Sequence, residues 1–489
     1  MESGSELPRG WVKTKLGEFV VSEKGKKPKN VSKEVTDICS LPYVNIQAFE
    51  KNIIDEYTDG IGCVLCDNND FLMVWDGSRS GYVGKAVKGV LGSTLVRINF
   101  PGILNDYAYY FLQSKYIEIN THAKGTGTPH VDPSLLWNYD FSIPPLSEQH
   151  RIVAKLEELF SELDKGVESL KLAQQQLKVY RQAVLKWAFE GKLTEEWRKE
   201  QKDLSIRSEL LEEILTERAK ISKESRKKLK PNINNNLGAI EETSELPILP
   251  EHWARVRLGN TSAEIFDGPF GSNLKSSDYV EQGIRVIRLE NIGELEFFED
   301  KKSYVTEEKY EKLKKHTVSA GDIIFSSFIS EKVRVVLLPE YIQKAINKAD
   351  CFCVRIKGKK INNKYLGFFL SSRQVFKILE NKIHGVGRPR VNTTQLKELV
   401  IPICSLGEQL QIVQEIESRL SVCDKIEEII EQGLVQAETL RQSILKKAFE
   451  GKLVPQDPND EPAEKLLERI KTERESQQPK KTGKRRTKN

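Results

Sequence analysis

Long apolar runs are missing from this sequence. No stretch approaches the ~18 consecutive apolar residues that a membrane-spanning helix needs, which excludes an integral membrane protein. No apolar N-terminal segment resembles a secretion signal, and the seven cysteines lack the spacing of a disulfide framework. We therefore expect a soluble protein of the reducing cytoplasm, with no membrane partner.

The sequence also lacks recognisable catalytic and metal-binding motifs. It has no GxxxxGK[ST] phosphate loop for a nucleotide motor and no Asn/Asp-Pro-Pro-aromatic segment of the kind that grips a flipped adenine. Cys63 and Cys66 have zinc-ligand spacing, but no second Cys or His pair follows at a matching distance. These absences predict no catalytic residue and no metal site.

An excess of one charge sign is absent as well. Lys and Arg number 76 and Asp and Glu 71, which leaves a net charge of +5, too small to identify a nucleic-acid-binding protein by charge alone. Charged residues nevertheless make up 30% of the chain, above the usual quarter or so. Long helices with solvated faces would explain that share.

The sequence contains an internal repeat. Residues 148–193 align without a gap on residues 408–453, with roughly 20 of about 46 positions identical. Upstream, shorter elements recur in the same order, beginning with a Leu-Pro-x-x-Trp element at Leu7 and again at Leu249. A glycine loop at 125–131 corresponds to one at 385–391, with the glycines, proline and valine retained and the intervening side chains different. One module is therefore present twice, with different surface side chains.

Each copy of the repeat contains a long amphipathic helix. Apolar residues recur at steps of three or four, which places them in one stripe that a partner helix must cover. Since both copies carry the stripe, the simplest partner is the other copy, and the intervening domain of about 150 residues brings the chain back antiparallel. The stripes comprise Ile152, Leu156, Leu159, Leu163, Val167, Leu170 and Leu177, and Ile412, Ile416, Leu420, Cys423, Ile426, Ile430 and Leu434.

Short β-type runs dominate the segments between these helices. LPYVNIQ, FLMVW and STLVRINF in the first half, and IRVIRLENI, GDIIFSSF and CFCVRI in the second, are bounded by Gly, Asp, Asn and Pro. We expect two α/β (α+β) domains, separated by a long antiparallel two-helix coiled coil in a pseudo-twofold internal repeat. The predicted divisions are domain 1 (1–147), helical region 1 (148–230), a connector (231–246), domain 2 (247–407), helical region 2 (408–475) and a basic, disordered tail (476–489).

The combination of repeated motifs resembles a known family. Both copies contain Ile-Pro followed by Glu-Gln, at 143–149 and 401–409, and both end in Arg-Gln…Ala-Phe-Glu-Gly-Lys-Leu, at 181–193 and 441–453. With the Leu-Pro-x-x-Trp elements and glycine loops, this pattern is similar to the specificity (S) subunits of type I restriction–modification systems. The resemblance covers nearly the whole chain.

The resemblance implies a function and a set of partners. It implies two target-recognition domains, each reading one half of a split site in double-stranded DNA, and a helix pair that docks two methyltransferase subunits, with restriction/translocase subunits joining that core. It also implies that S-adenosylmethionine, ATP and magnesium belong to those partners, and that this chain binds no cofactor. Because the two domains differ in length and loop chemistry, we expect an asymmetric target with an unread spacer.

Several polar and basic loop residues are candidates for contact with DNA. Arg and Lys suit guanine edges, Asn and Gln suit adenine, and Lys, Ser, Thr and backbone amides suit phosphates. An alternative for each is a plain surface turn with solvated side chains. The candidates are Lys26, Lys27, Ser78, Arg79, Ser80, Lys124, Thr126, Thr128 and His130 in the first domain, and Asn273, Lys275, Lys332, Arg334, Arg388, Arg390 and Asn392 in the second.

The repeated helix ends supply candidates for docking the methyltransferase subunits. The alternative is that the apolar residues among them pack in a core, as a repeated apolar helix residue usually does. The docking candidates are Arg181, Phe189, Lys192, Arg441, Phe449 and Lys452.

Two other functions compete with DNA reading. A coiled-coil scaffold joining two protein-binding domains would also fit the weak net charge. A self-contained restriction enzyme would need the catalytic motifs that the sequence lacks. DNA binding that weakens steeply as salt rises would distinguish DNA reading from the scaffold function. Binding of S-adenosylmethionine by the isolated chain would favour the self-contained enzyme.

Overall fold

A computed structural model describes residues 7–68, 70–224, 247–382 and 389–477. The chain divides into two units, and the first contains both ends of the chain. Unit 1 comprises Met1–Lys171 and Glu431–Asn489, and unit 2 comprises Leu172–Ile430. Within the described ranges, no helix is both long and apolar enough to cross a membrane.

Unit 1 contains three sheets and the helices that cover them. Its strands are β1 (Val12–Lys15), β2 (Val21–Lys24), β3 (Val31–Ser32), β4 (Leu41–Val44), β5 (Tyr57–Thr58), β6 (Leu65–Cys66), β7 (Phe71–Val74), β8 (Val83–Lys85), β9 (Gly89–Leu91), β10 (Leu95–Asn99) and β11 (Asp140–Ile143). Its helices are α1 (Ile46–Lys51), α2 (Asn105–Thr121) and α3 (Pro133–Leu136), and α4 (Leu146–Phe189) begins here.

Unit 2 begins within α4, at Leu172. Its helices are α5 (Glu195–Glu200), α6 (Arg207–Glu224), α7 (Glu307–Leu313), α8 (Asn363–Leu370), α9 (Arg373–Glu380) and α10 (Thr393–Lys397). Its strands are β12 (Ala254–Arg257), β13 (Ala263–Phe266), β14 (Ile284–Ile287), β15 (Tyr304–Val305), β16 (Thr317–Val318), β17 (Ile323–Ser326), β18 (Val335–Leu337), β19 (Ala345–Asn347), β20 (Cys351–Ile356) and β21 (Val400–Ile403). Helix α11 (Leu406–Phe449) begins here and ends in unit 1, where α12 (Ala463–Gln477) follows.

The two units share one sheet topology. Each pairs its first and last strands, β1 with β11 and β12 with β21. Each then forms a four-stranded antiparallel sheet, β2-β10-β7-β8 in unit 1 and β13-β20-β17-β18 in unit 2. The third sheet is β3-β5-β4-β9-β6 in unit 1 and β15-β14-β19-β16 in unit 2, with one parallel pair in each, β4 with β9 and β14 with β19. The predicted duplication of one α/β module is confirmed, and unit 1 adds strand β3.

The two 44-residue helices α4 and α11 pack together antiparallel, as predicted. In unit 1, Asp164 forms an ion pair with Arg441, and Leu170 lies beside Gly433, so the residue numbers rise along α4 as they fall along α11. In unit 2, the guanidinium of Arg181 forms ion pairs of 2.8 Å with Asp424 and with Glu427. The helix pair is therefore joined by an apolar seam and by ion pairs across it.

One residue of the predicted seam lies outside it. Most members of the two stripes are buried or half-buried, but Ile426 is 40% exposed. It lies at the level of α11 where Arg181 pairs with Asp424 and Glu427, so charged groups join the helices there. The prediction that Ile426 belongs to the seam is wrong.

The sequence motifs of the repeat meet at one junction in each unit. In unit 1, the indole Nε1 of Trp11 donates to Glu148 at 3.0 Å, and Gly451 lies against Pro8. In unit 2, the corresponding bond joins Trp253 to Glu408 at 2.9 Å, and Gly191 lies against Pro250. We call these the motif junctions. They connect the start of each domain to the beginning of one long helix and the end of the other.

Glycine is required where each long helix ends. Gly191 and Gly451 have φ values of +74° and +69°, the left-handed conformation that terminates a helix and that side chains other than glycine rarely adopt. A Cβ added at either residue would also lie 2.4 Å from a proline of the motif junction. The Glu-Gly-Lys sequence at the end of each repeat therefore stops the helix and allows the close approach.

The ends of the long helices complete the two cores. Phe449 of α11 packs edge-on against Tyr107 and Phe111 of α2 in unit 1. Phe189 of α4 packs in the same way against Tyr365 and Phe369 of α8 in unit 2. Each core is thus closed by a helix that follows the other domain in sequence.

The predicted strands and the two predicted long helices are present, with adjusted ends. All six predicted β-type runs contain a strand, namely β4, β7, β10, β14, β17 and β20. Helix α4 begins at Leu146 and α11 at Leu406, two residues before the predicted boundaries. The connector 231–246 and most of the tail 476–489 lie outside the described residues.

Candidate functional site

In each unit, two loops are joined by the same pair of backbone hydrogen bonds. In unit 1, Gly77 N–H donates to Pro129 at 2.7 Å and Val131 N–H to Trp75 at 2.9 Å. In unit 2, the N–H of Ile329 donates to Pro389 at 3.2 Å, and that of Val391 to Ser327 at 3.0 Å. We call these the bridged loops, residues 75–81 with 124–131 in unit 1 and 327–334 with 389–391 in unit 2. The ends of the two glycine loops, residues 129–131 and 389–391, therefore correspond in backbone geometry as well as in sequence.

The bridged loops of unit 1 carry most of the candidates for DNA contact in that domain. Thr126 and Thr128 are exposed, and His130 is half-buried beside the backbone of Asp76. Lys124 is exposed and forms a 2.8 Å ion pair with Asp132, whose carboxyl pKa it holds below the usual value by a hydrogen bond. These side chains leave a polar surface at the loop tip.

The Asp-Gly-Ser-Arg-Ser segment divides into exposed and buried positions. Ser78 is exposed, and its carbonyl accepts a 3.0 Å hydrogen bond from Asn120. Ser80 is fully buried, so its side chain is not available at the surface. Arg79 forms a 2.7 Å ion pair with Glu50 and lies 4.1 Å from the ring centre of Tyr82, with its side chain 45% exposed. Of the three candidates, Ser78 and Arg79 can contact a ligand.

The bridged loops of unit 2 present a different set of side chains. Arg390 is exposed, and Lys332 is exposed and paired with Glu294 at 2.5 Å. Arg334 is half-buried and donates to the carbonyl of Leu289 at 3.1 Å and the hydroxyl of Ser326 at 3.2 Å, so these hydrogen bonds hold the loop. Arg388 lies outside the described residues.

Asn392 has a structural task. Its side chain accepts the N–H of Gln395 at 2.9 Å while Gln395 returns a bond to the Asn392 N–H, a capping box that begins α10. A base contact by this side chain would compete with that cap.

Two basic loops follow tightly packed glycines. Lys26 and Lys27 are exposed and follow Gly25, where an added Cβ would lie 2.1 Å from the carbonyl oxygen of Gly92. Asn273 and Lys275 are exposed in unit 2 and follow Gly268, which is packed as closely against Lys348. Both loops leave the first strand of the four-stranded sheet, so the lysines of the two units are presented from matching places.

The docking candidates are largely engaged within their own units. Arg181 and Arg441 form the ion pairs of the helix seam. Phe189 is 1% exposed, and Phe449 is half-buried in the core of unit 1, so the core-packing alternative describes both rings. Lys192 and Lys452 are exposed and pair with Glu190 and Glu450, each at 2.7 Å.

The sequence interpretation missed a stripe of exposed apolar side chains on α11. Val422 is 57% exposed, Ile429 is 63% exposed, and Ile426 lies between them. Their spacing of four and three residues puts them on one face of the helix, beside the seam. The sequence did contain a signal for this stripe, because α11 has more apolar residues than one seam can cover.

The carboxylates that hold the exposed arginines were also missed. Glu50 and Asp350 are distant in sequence from Arg79 and Arg390, so no local pattern identifies them. Asp267, whose carboxylate accepts the N–H of Asp350 at 3.0 Å, belongs to the same group in unit 2. Burial raises the pKa of Asp267 to about 6.

Comparison with known proteins gives a consistent set of relatives. The chain is 25% identical over 459 residues to the type I restriction enzyme MjaVIII specificity subunit of Methanocaldococcus jannaschii, covering 92% of this chain and 94% of that one. It is 26% identical over 491 residues to the type I restriction enzyme EcoDI specificity subunit of Escherichia coli, covering 96% and 97%. A structure solved in a study of assembly and conformational transition of the type I R-M system matches the fold, with a TM-score of 0.62 at 17% identity over 92% of this chain and 100% of that one.

A family model describes both halves of the chain. The model of the type I restriction modification DNA specificity domain matches residues 8–171 and again residues 250–436, which together exceed half of the sequence. Those two matches begin at the two Leu-Pro-x-x-Trp elements and contain the two sets of bridged loops. The chain therefore belongs to the family of type I restriction modification DNA specificity proteins.

Proposed function

We propose that this chain reads a two-part DNA target, one part with the bridged loops and neighbouring basic loop of each unit, and leaves methylation and cleavage to partner subunits. The observation that carries the proposal is the repetition of one backbone frame with different surface side chains. These are the exposed Thr126 and Thr128 with the half-buried His130 in unit 1, and the exposed Lys332 and Arg390 in unit 2. A constant frame with variable side chains is what reading two different base sequences requires.

The target is asymmetric in this proposal. Identical recognition surfaces would read identical half-sites, whereas these surfaces differ in charge and hydrogen-bonding groups. The coiled-coil scaffold is not favoured as an alternative, because both domains match the DNA specificity model.

Two methyltransferase subunits are the proposed partners of the helix pair, and restriction/translocase subunits join them. The apolar stripe of Val422, Ile426 and Ile429 supports a docking surface on α11, since adjacent exposed apolar residues on one helix face are typical of interaction sites. S-adenosylmethionine, ATP and magnesium belong to the partners in this proposal.

A methylation assay tests the proposal. The chain expressed with its cognate methyltransferase subunit should methylate adenine in a bipartite motif, and exchanging residues 8–143 for those of a relative should change only one half of the motif. The isolated chain should bind DNA with an affinity that falls steeply as salt rises, because phosphate contacts release counterions. A motif that ignored the exchanged domain, or DNA binding insensitive to salt, would contradict the proposal.

A further inference from the structure

Arg390 of unit 2 is an exposed arginine held in one orientation. Its side chain is 47% exposed, and its guanidinium lies 4.4 Å from the ring centre of Phe328 and 3.5 Å from the Asp350 carboxylate. The backbones of Phe328 and Arg390 pair in an antiparallel bridge within the bridged loops. The ring and the carboxylate thus restrict the guanidinium from two directions, and the backbone bridge fixes the arginine next to the residue that supplies the ring.

Asp350 is itself fixed by its neighbours. Its carboxylate accepts the hydroxyl of Ser327 at 2.8 Å, and its carbonyl accepts the N–H of the same serine at 2.9 Å. Its own N–H donates to Asp267, and its φ of +70° is a conformation that non-glycine residues seldom adopt. A residue held this firmly provides a stable anchor for Arg390.

Restriction before binding favours recognition. A flexible arginine loses rotamer freedom when it binds, whereas stacking on an aromatic ring and a carboxylate contact remove much of that freedom in advance. The contact with Asp350 uses Nη1, so among the described residues Nη2 and Nε remain as a pair of donors. Two parallel N–H donors match either the N7 and O6 acceptors of guanine or two phosphate oxygens.

The neighbouring charges decide between these ligands. A phosphate on Arg390 would bring a negative charge close to the carboxylate of Asp350, with that of Asp267 next to it. The edge of guanine offers acceptors without a net charge, so it avoids this repulsion. The acidic surroundings therefore favour a base over a phosphate.

The matching position in unit 1 has different chemistry. His130 stands where Arg390 stands in unit 2, and Asp76 stands where Phe328 stands, with the same type of backbone bridge. Asp76 forms a 2.7 Å ion pair with Lys24, so the bridge partner of His130 is a carboxylate paired with a lysine and not an aromatic ring. The two units thus present different side chains for base recognition from the same backbone geometry.

We propose that Arg390, stacked on Phe328 and tethered by Asp350, reads a guanine in the half-site of unit 2 and determines specificity at that position. This inference rests on the proposed function and names the base that one residue recognises.

Genome-wide mapping of methylated adenines tests the inference in the assembled complex of the chain with its methyltransferase subunit. The wild-type motif should contain a guanine in the half read by unit 2, and Arg390→Lys and Arg390→Ala should both relax the motif at that one position. Lysine keeps the charge but not the paired donors, so loss of selectivity in Arg390→Lys separates base reading from charge. Lys312→Ala, at an exposed cation of α7 in the same unit, should leave the motif unchanged.

A binding assay identifies the atoms. Replacing that guanine by 7-deazaguanine, which lacks the N7 acceptor but keeps O6, should weaken binding of the wild-type complex at least about 5-fold, the lower end of what one bidentate base contact supplies. The same replacement should have little further effect on Arg390→Ala. If Arg390 variants weaken binding equally on all sequences and keep the motif, the arginine contacts phosphate and the inference is overturned while the proposed function stands. If the wild-type complex methylates without a bipartite motif, both fail.

Discussion

At the scale of single residues, corresponding positions in the two units have different neighbours and therefore different energetics. Glu148 and Glu408 both accept the indole N–H of the motif-junction tryptophan. Glu408 also accepts the hydroxyl of Thr194 at 2.7 Å and forms an ion pair with Arg198, whose side chain is 13% exposed. Burial raises the pKa of Glu148, so its charged form is disfavoured. The same glutamate of the repeat therefore lies in a different electrostatic environment in each unit.

The two glutamates should respond differently to replacement by glutamine. Glu408→Gln leaves Arg198 without its carboxylate in a nearly buried site, which should lower the free energy of unfolding by about 3 kcal/mol, typical of a broken buried pair. Glu148→Gln keeps an acceptor for Trp11 and removes a disfavoured charge, so its effect should stay within about 1 kcal/mol. Urea unfolding of the two variants measures the difference. Equal losses would contradict this explanation.

Asp267 should make unit 2 less stable as the pH rises. Burial places its folded-state pKa at about 6, above the ordinary 3.8, so its contribution is fully present below about 3.8 and is lost as the pH rises through about 6. Asp267→Asn keeps an acceptor for the N–H of Asp350 and removes the ionisation. Its free energy of unfolding, relative to wild type, should increase between pH 5 and pH 7.5. A parallel pH dependence of the two proteins would show that Asp267 does not titrate in this range.

At the scale of elements, the long helices were the most predictable part of the fold. Their apolar stripes follow from side-chain spacing alone, and the repeat in sequence indicated that each stripe covers the other. Spacing could not predict that the end of each long helix packs into the core of the other domain. A Phe449 buried in a core and a Phe449 that docks a partner have the same local sequence. Packing against Tyr107 and Phe111 decides between them.

Two glycines inside these helices provide a matched test of the seam. A Cβ added at Gly166 in α4 would meet no atom of the described residues within 4 Å, so Gly166→Ala should stabilise the protein by about 0.5–1 kcal/mol through helix propensity. In α11, the Cβ of Gly433→Ala would lie 3.1 Å from Leu170 across the seam, and the gain should be smaller. Thermal unfolding measures both. A larger gain at Gly433 would mean that the helices are not in contact there.

At the scale of the whole molecule, the proposed division of labour needs a surface that holds the catalytic partners. The exposed stripe of Val422, Ile426 and Ile429 is available for that purpose, whereas most of the predicted docking residues are engaged within their units. Partner binding would cover apolar area that the chain leaves in water.

Polar substitution of the stripe should weaken the complex. Val422→Ser with Ile429→Ser should reduce co-purification of the methyltransferase subunit at least about 10-fold while leaving DNA binding by the isolated chain intact, because burial of two aliphatic side chains supplies several kcal/mol. Ile61→Ser, at an apolar residue that is 79% exposed in unit 1, is the control. Undiminished co-purification of the double variant would place the docking surface elsewhere.

The sequence by itself determined the duplication, the long helices, the α/β character of the domains and the family. These properties depend on periodicity and on order along the chain, which are visible without coordinates. Only the tertiary structure decided which loop side chains can contact DNA and which are engaged within the protein. Ser80 is buried, and Asn392 caps a helix. Arg334 forms hydrogen bonds that hold a loop, whereas Arg390 is exposed and contacts Phe328 and Asp350. Those outcomes depend on contacts between residues far apart in sequence, and local patterns do not record such contacts.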